Sequence, residues 1–386
     1  MFSERTNWNL DANSLSEALA RHRAEGKPLL DLTISNPTEC GFDYDSRAIL
    51  EAFANPASLA YDPDPRGLLS ARQAVAAYYA PRSTDAPPVD SIILTTSTSE
   101  AYSFVFRTLC NPGDEILVPE PSYPLFAFLA DIQDVKLVRY PLDYDYGWQI
   151  NFHAIQAGIT ARTRGVIVVH PNNPTGHFTK LRELEKLNDI CAARDLAIIA
   201  DEVFLDFALQ AEAPFSFAQN SAALTLTMSG LSKISGLPQM KAAWLVTSGP
   251  EQLQSQALAR LEIIADTYLS MNAPVQCAIP ALLEQRRPFQ KQLLARVRKN
   301  LAELDRQLTT QKSCARLAVE AGWYAVLRVP ATRSDEELAI ELLTQKNVYV
   351  HPGHFYDFLP EGFLIVSLIT QEEEFAAGVK LLLSMF

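Results

Sequence analysis

The chain has 386 residues, 48% of them hydrophobic, which is enough for a packed core and for about two domains by the usual size relation. Its 33 Lys and Arg residues against 45 Asp and Glu residues give a formal charge of −12, which disfavours nucleic acid or an anionic membrane as a general partner. A small anionic ligand therefore needs a local positive site.

The N-terminal region, residues 1–45, is rich in turn residues and contains one predicted helix. Ser14 and Glu17 have the spacing of a capping box, in which a serine hydroxyl caps the helix and a glutamate three residues later reaches back to the cap. We therefore expect Ser14 to be the N-cap. We assign this region to an N-terminal arm and to part of a smaller domain.

The central region, residues 46–275, alternates short β-branched runs with segments of helical periodicity. Several runs are apolar at consecutive positions, so helices should cover both faces of a mostly parallel sheet. Ligands of such sheets bind beyond the carboxyl ends of the strands. We predict a large α/β domain that holds a cofactor and contains a seven-stranded sheet. Its predicted strands are 92–95, 115–118, 135–138, 165–169, 196–200, 223–228 and 244–246.

The C-terminal region, residues 276–386, changes to long, charged amphipathic helices, such as 286–311. Two further strand-like runs follow at 323–329 and 347–350. These patterns predict a smaller α+β domain, which both termini of the chain would form together. We find no internal repeat and no low-complexity segment.

The cysteines are odd in number and widely spaced, with no Cys-x-x-Cys pair and no histidine at metal-ligand spacing. We interpret them as reduced thiols and expect no metal site. The first eight residues lack a basic stretch followed by an apolar one, and no apolar run reaches the length of a membrane span. These features predict a cytoplasmic protein with no membrane partner.

Three polar residues follow predicted strands at spacings that suit an aldehyde cofactor. Lys233 lies after a Ser/Gly turn, Asp201 closes the run 196–200, and Asn173 lies in the segment 170–176. A Schiff-base lysine must lose its proton near neutral pH, and an acid facing a pyridine nitrogen keeps that nitrogen protonated. Taken singly, they could be a surface lysine, a helix N-cap and a turn residue. Together they predict a pyridoxal phosphate site.

Two further segments suit the same cofactor. Residues 94–101 follow a strand and open a helical pattern, where backbone N–H groups and the hydroxyls of Thr98 and Ser99 could hold a phosphate. Simple N-capping by a serine is the alternative reading. Tyr123 lies in a proline-rich loop, from which its ring could stack on a planar cofactor.

Taken in order, these segments resemble the class I/II aminotransferases among the fold-type I pyridoxal phosphate enzymes, which are related to aspartate aminotransferase. The resemblance covers nearly the whole chain, and the ordered set is far more specific than any single member. The matching pieces are Tyr61 with Gly67 and Arg72, 96–101, 112–115, 121–123, 173–176, 201–202, 232–233, and 352–353 with Phe355.

The resemblance implies a role for each matching residue. Lys233 would form the Schiff base and move the proton between the substrate carbon and the cofactor, while Asp201 would pair with the pyridine nitrogen. Tyr61 would reach the phosphate of a neighbouring subunit, which implies a homodimer with shared sites. The other implied contacts are Asn173 with the ring oxygen and substrate, Tyr123 with the ring face, Asn36 with substrate, and Thr98, Ser99, Ser232 and Lys241 with the phosphate.

The sequence departs from the family pattern at two cofactor positions. Phe204 stands where the family commonly has a tyrosine that donates to the ring oxygen. Because that donor is lost, we expect the Schiff base to have a higher pKa than in relatives with the tyrosine. Lys241 stands where an arginine usually holds the phosphate, so the charge is kept but the planar fork is lost.

The third departure affects the substrate. Ile365 occupies the position of the arginine that usually clamps the substrate carboxylate. A buried carboxylate without a partner costs several kcal/mol, so an amino acid substrate requires compensation. The candidates are Arg66, Arg5 or backbone amides near residues 35–36, unless the substrate has no carboxylate at this point.

The leading hypothesis is therefore ping-pong amino transfer between an amino acid and a 2-oxo acid, with a weak preference for a neutral or aromatic donor. A lyase, a decarboxylase or an amine-acting enzyme with the same cofactor is the alternative, which Ile365 makes more credible. A non-catalytic pyridoxal phosphate protein is disfavoured by the intact Lys233. A nucleotide-binding protein would require a Gly-rich phosphate loop, which the sequence lacks.

Overall fold

The structure, a computed structural model, describes residues 1–82, 86–209 and 214–386. The helices are α1 Ser14–Ala24, α2 Ser46–Glu51, α3 Leu69–Tyr79, α4 Thr98–Leu109, α5 Phe126–Asp131, α6 Phe152–Gly158, α7 Leu181–Arg194, α8 Leu231–Ile234, α9 Glu251–Tyr268, α10 Ala273–Glu284, α11 Arg286–Leu308, α12 Asp335–Lys346 and α13 Glu372–Leu383. The strands are β1 Leu30–Asp31, β2 Ile92–Thr95, β3 Glu115–Glu120, β4 Lys136–Tyr144, β5 Trp148–Ile150, β6 Thr163–Val169, β7 Ala197–Asp201, β8 Thr225–Gly230, β9 Ala243–Ser248, β10 Ala315–Arg316, β11 Tyr324–Arg328, β12 Val348–Tyr349, β13 His351–Pro352 and β14 Phe363–Ser367.

The large domain is built on an eight-stranded sheet in the order β2-β9-β8-β7-β6-β3-β4-β5. Neighbouring strands from β8 through β4 are parallel, whereas β9 and β5 are antiparallel to the strands they pair with. All seven predicted strands are present. The eighth, β5, forms a short hairpin with the end of β4, and its three residues are too few to produce a recognisable strand pattern.

The central strands are apolar at consecutive positions because helices cover both faces of the sheet. Every residue of β7 is buried. Successive residues of this strand belong to different hydrophobic clusters: Ile198 packs in one cluster and Ile199 in another, on the opposite face. The sheet is therefore the middle layer of a three-layer domain, as the composition of its strands predicts.

The smaller domain combines both ends of the chain. Near the N-terminus, β1 pairs in parallel with β12, and β10-β11-β14-β13 form a four-stranded antiparallel sheet. The predicted boundary between residues 275 and 276 falls within α10. Ile279 and Leu282 of that helix pack in the same cluster as Trp244 of β9, so α10 is part of the large-domain core.

The predicted cap of α1 is wrong by one residue. Asn13, not Ser14, is the N-cap: its backbone is extended and its Oδ1 accepts a 2.7 Å hydrogen bond from the Ser16 amide. Asn and Ser are about equally good caps, so the capping-box spacing alone could not distinguish the two positions. Among the helices of the described residues, none combines the length and apolar character needed to cross a bilayer.

Candidate active site

One cavity opens at the carboxyl edge of the large sheet, where β2, β3, β6, β7 and β8 all end. This edge is shared because these strands run in the same direction. Side chains that follow the strands line the cavity together. The predicted cofactor residues among them are Thr98, Ser99, Tyr123, Asn173, Asp201, Ser232, Lys233 and Lys241.

Lys233 lies in the short helix α8, directly after β8. Its Nζ atom is 4.9 Å from the centre of the Trp323 ring and 5.7 Å from the centre of the Phe204 ring. Burial among these groups lowers the pKa of Lys233 to about 8, although the nearby Asp201 carboxylate opposes the shift. About a tenth of the amine is therefore neutral and nucleophilic at pH 7, far more than for an ordinary lysine.

Contacts from two distant parts of the chain hold α8 in place. The Tyr44 hydroxyl donates to the Gly236 carbonyl at 2.9 Å, and Gln290 Nε2 donates to the Ile234 carbonyl at 2.9 Å. Gly236 has φ +64°, and a Cβ atom there would lie 2.4 Å from Cζ of Phe289. The turn after Lys233 therefore depends on glycine both for its backbone angle and for the space against α11.

Asp201 is the last residue of β7 and is buried at the cavity wall. The Tyr102 hydroxyl donates to its Oδ2 at 3.1 Å, and the Val203 amide donates to its Oδ1 at 3.1 Å. Burial raises the pKa of Asp201 to about 6, while these two donors and Lys233 oppose the rise. A buried carboxylate is stabilised by a cationic partner, and the protonated ring nitrogen of the cofactor would be such a partner.

Asn173 projects into the cavity from the loop after β6. The residue is only 8% exposed, and its Oδ1 atom has no hydrogen-bond partner among the described residues. The neighbouring Asn172 fixes the loop, because its side-chain oxygen accepts from the Thr175 hydroxyl and its carbonyl accepts from the Gly176 amide. An unpartnered amide in this position fits a polar ligand in the cavity.

The loop that carries Asn173 is tied to the segment that precedes Trp323. His177 is buried between the carboxylates of Glu183 and Glu320, at 3.3 and 3.5 Å. Although burial alone would lower the pKa of His177, the two carboxylates raise it. This ionic contact joins the large domain to the chain that enters β11.

The N-terminus of α4 forms one end of the cavity. Ser97 caps the helix by accepting from the Glu100 amide at 3.1 Å, and Thr98 and Ser99 follow in its first turn. The Thr96 amide and hydroxyl instead donate to the Glu100 carboxylate. Helix N-termini attract anions, and Lys241 adds a positive charge to the same cavity, so a phosphate fits here.

The structure places several predicted residues outside this cavity. Tyr61 is 84% exposed and lines a separate surface pocket with Leu269. Asn36 does not line the cavity, because its Oδ1 caps a short turn by accepting from the Thr38 amide and hydroxyl; Ser35 lines it instead. Both candidate arginines are paired elsewhere: Arg5 with Asp134, and Arg66 with Glu262.

Ile365 lies on β14 and is buried. It faces the same side of the small sheet as Tyr324, because Tyr324 pairs with Ser367, two residues along the strand, and Tyr324 lines the cavity. Position 365 therefore carries a buried, apolar side chain on the same sheet face as Tyr324. Among the described residues that line the cavity, the basic ones are Lys233 and Lys241.

Comparisons with known proteins identify the family of the chain. The family described as aminotransferase class I and II matches residues 27–379, nearly the whole chain. The chain belongs to this family. Pyridoxal phosphate is accordingly its cofactor, and amino transfer is its reaction class.

Characterised aminotransferases resemble the chain along most of its length. The glutamate-pyruvate aminotransferase AlaA of Escherichia coli strain K12 is 30% identical over 360 residues, which cover 90% of this chain and 88% of the relative. The alanine aminotransferase of Mycobacterium tuberculosis strain H37Rv is 29% identical over 378 residues, covering 94% of this chain and 86% of the relative.

Solved structures share the fold. The alanine aminotransferase of Pyrococcus furiosus superposes with a TM-score of 0.88 at 22% identity, with complete coverage of both chains. An aminotransferase from Escherichia coli gives a TM-score of 0.86 at 25% identity and covers 99% of this chain and 96% of its own. The aminotransferase fold is thus present from end to end.

Three residues of this aminotransferase site were not predicted from the sequence. Tyr102 lies one helical turn after Thr98, so the predicted helix at 98 could have placed it near the strand ends. Trp323 and Tyr324 were predicted only as parts of a strand. Their position beside Lys233 results from packing between the two domains, which leaves no local mark in the sequence.

Proposed function

We propose that this aminotransferase moves the amino group of a small neutral amino acid, such as L-alanine, to a 2-oxo acid. The observation that carries the proposal is the convergence of Lys233, Asp201 and Asn173 on one cavity. The names of the relatives support an alanine-type donor. The relatives reported above are all aminotransferases, so we prefer amino transfer to the lyase, decarboxylase and amine-acting alternatives.

When bound, pyridoxal phosphate supplies an aldehyde for the amine and a ring that withdraws electrons from the substrate carbon. We assign to Lys233 the attachment of the cofactor and then the transfer of the proton from the substrate carbon, since its lowered pKa suits a base near neutral pH. Asp201 holds the ring nitrogen in its protonated form. Its bonds from Tyr102 and Val203 keep the carboxylate oriented for this task.

The remaining cavity residues orient the reactants. With the cofactor bound, the Asn173 amide would contact the ring oxygen and the substrate, and the half-exposed ring of Tyr123 would stack on the cofactor ring. The start of α4 and two side chains that follow β8 would hold the phosphate. These phosphate ligands are Thr98, Ser99, Ser232 and Lys241.

The decisive experiment is a half-reaction without an acceptor. The purified protein, loaded with cofactor, is mixed with L-alanine, and we expect one pyruvate per active site together with loss of the aldehyde form of the cofactor. A 2-oxo acid should then restore that form. Lys233→Ala serves as the control and should lose both steps. Continuous release of ammonia or carbon dioxide from the loaded protein would contradict amino transfer.

We also propose that two copies share their active sites as a homodimer. The surface around Tyr61 supports this, because exposed Tyr61 lines a surface pocket with Leu269 and follows the exposed Leu59 by two residues. Exposed apolar surface of this kind commonly marks interfaces. If Tyr61 serves the partner's phosphate, mixing Tyr61→Ala with Lys233→Ala subunits should restore part of the activity. Two inactive variants that stay inactive after subunit exchange would argue against shared sites.

The proposed compartment is the cytoplasm. All the cysteines are free thiols in the structure, and none pairs with another. Thiols stay reduced in the cytoplasm, so this state is compatible with the proposal.

A further inference from the structure

Ser35 and Tyr324 form one wall of the cavity, which we call its substrate end and which carries hydroxyl groups. Of the basic residues that line the cavity within the described chain, Lys233 is assigned to the cofactor aldehyde and Lys241 to the phosphate. An amino acid substrate also brings a carboxylate next to its amine. Within one subunit, the hydrogen-bond donors left for that carboxylate are therefore groups that carry no positive charge.

Tyr324 is a polar side chain on the same face of the small sheet as Ile365. It pairs across β11 and β14 with Ser367, and Val326 pairs with Ile365, so positions 324 and 365 are diagonal neighbours on one face. Tyr324 lines the cavity, whereas Ile365 offers no donor. A group bound at this wall of the cavity can therefore meet the Tyr324 hydroxyl.

Ser35 approaches the same point from the N-terminal segment. Ser367 anchors this segment: its amide donates to the Leu32 carbonyl and its hydroxyl to the Ile34 carbonyl, both at 2.6 Å. Ser35 therefore follows an anchored residue, and its side chain faces the Tyr324 hydroxyl at the cavity wall. Two hydroxyl donors from opposite ends of the chain are thus brought together.

Tyr324 also faces a second phenol, and an imidazole lies beyond that phenol. The Tyr356 hydroxyl faces Tyr324 and lies 3.2 Å from Nδ1 of His351, which pairs with Ile365 on β13. Burial lowers the pKa of His351 to about 4, although Asp31 opposes the shift, so the imidazole is neutral at physiological pH. Tyr324, Tyr356 and His351 therefore form a neutral series of two phenols and one imidazole.

We propose that Tyr324 and Ser35 bind the substrate carboxylate through neutral hydroxyl donors, in place of a cationic clamp. This inference rests on the proposed transamination of an amino acid. Neutral donors favour a carboxylate over a carboxamide only modestly, because both present a carbonyl oxygen, whereas a cation favours the carboxylate strongly. The enzyme should therefore accept amino acid amides as well as amino acids.

The first test compares L-alanine with L-alaninamide in the half-reaction of the loaded wild-type enzyme. Apparent dissociation constants are expressed per unprotonated amine, so that the different basicity of the two amines does not enter. We expect the two constants to agree within about tenfold. A preference for L-alanine of more than about a hundredfold would overturn the proposal, because it would require a cation, for example from a second subunit.

The second test removes one hydroxyl. Tyr324→Phe should weaken L-alanine binding by about tenfold to a hundredfold while the limiting rate of the half-reaction changes less than about twofold. Tyr146→Phe deletes the same atom from a tyrosine that is 98% exposed and serves as the matched control. An equilibrium titration with 2-methylalanine, which has no hydrogen on its α-carbon, measures the same loss of affinity without turnover.

The outcomes separate this inference from the proposed function. If no amino donor converts the cofactor, the transaminase proposal itself fails. If L-alanine reacts but Tyr324→Phe binds L-alanine and 2-methylalanine as tightly as the wild type, transamination stands and the role of Tyr324 is refuted. Ser35→Ala, at an exposed position, repeats the test without risk to the core and should give a smaller loss in the same direction.

Discussion

The bond between Tyr102 and Asp201 offers a quantitative test of the cofactor site. Tyr102→Phe removes one of the two donors that Asp201 accepts and leaves the aromatic ring in place. Only an ionised Asp201 pairs with a protonated ring nitrogen, so affinity for the cofactor should fall as the pH drops through the pKa of this carboxyl. Losing a donor to the charged form should raise that pKa further.

The size of the effect follows from the structure. The pKa of Asp201 is about 6 with both donors present. A hydrogen bond to a charged group contributes about 1.5–3 kcal/mol, and one pKa unit corresponds to about 1.4 kcal/mol, so the variant should titrate at about pH 7–8. At pH 7 the ionised fraction would then fall from about nine tenths to between about one tenth and one half.

The assay is the dissociation constant of pyridoxal phosphate for the apoenzyme, measured from pH 6 to pH 9. We expect a loss of about two- to tenfold in affinity at pH 7 and almost none at pH 9, because the carboxylate is ionised in both proteins at the higher pH. Tyr140→Phe is the control: it removes a buried phenol that donates to the Ile167 carbonyl at 2.7 Å and not to the Asp201 carboxylate. A loss that is equal at all pH values would refute the reasoning.

Three further predictions concern other parts of the structure. Gly236→Ala should destabilise the fold by more than about 2 kcal/mol in chemical denaturation, because backbone strain adds to a clash with Phe289. Gly26 has the same φ of +64° but nothing within 4 Å of an added Cβ atom, so Gly26→Ala should cost only about 1 kcal/mol. Burial alone would raise the pKa of Glu320, but contacts with His177 and Lys180 lower it to about 2. The ionised Glu320 therefore stabilises the fold fully above about pH 4.3, and this contribution is lost as the pH falls through 2. Glu320→Gln should therefore cost about 1–3 kcal/mol at pH 7, and the gap from wild type should close towards pH 2; a gap independent of pH would contradict the ionic contact. Phe204→Tyr should lower the pKa of the visible absorbance change of the loaded enzyme by about one unit, and an unchanged spectral titration would show that the new hydroxyl does not reach the ring oxygen.

The sequence predicts the large domain well because its physical causes are local. Runs of consecutive apolar, β-branched residues indicate strands that are covered on both sides, and polar residues directly after such runs must meet at one edge of a parallel sheet. Lys233, Asp201 and Asn173 are brought together by this rule alone. Patterns that are short, or that fit two positions equally well, do not predict the structure correctly, as β5 and the cap at Asn13 show.

The substrate end of the cavity could not be predicted in the same way. Ser35, Trp323 and Tyr324 reach it through contacts between residues that are far apart in sequence, and the anchor at Ser367 has no counterpart in any local motif. Arg5 and Arg66 show the reverse case. Both are plausible clamps by charge alone, but each is neutralised by a carboxylate that only the fold brings near.

The position of Trp323 has a practical consequence. The chain has four tryptophans, and Trp323 is the one whose ring lies against Lys233, with 4.9 Å between the ring centre and Nζ. Any group that attaches to the lysine must come within the range of this fluorophore, so cofactor loading should quench its emission. The enzyme therefore carries its own optical probe of occupancy, and Trp323→Phe would give the silent reference against which that emission is read.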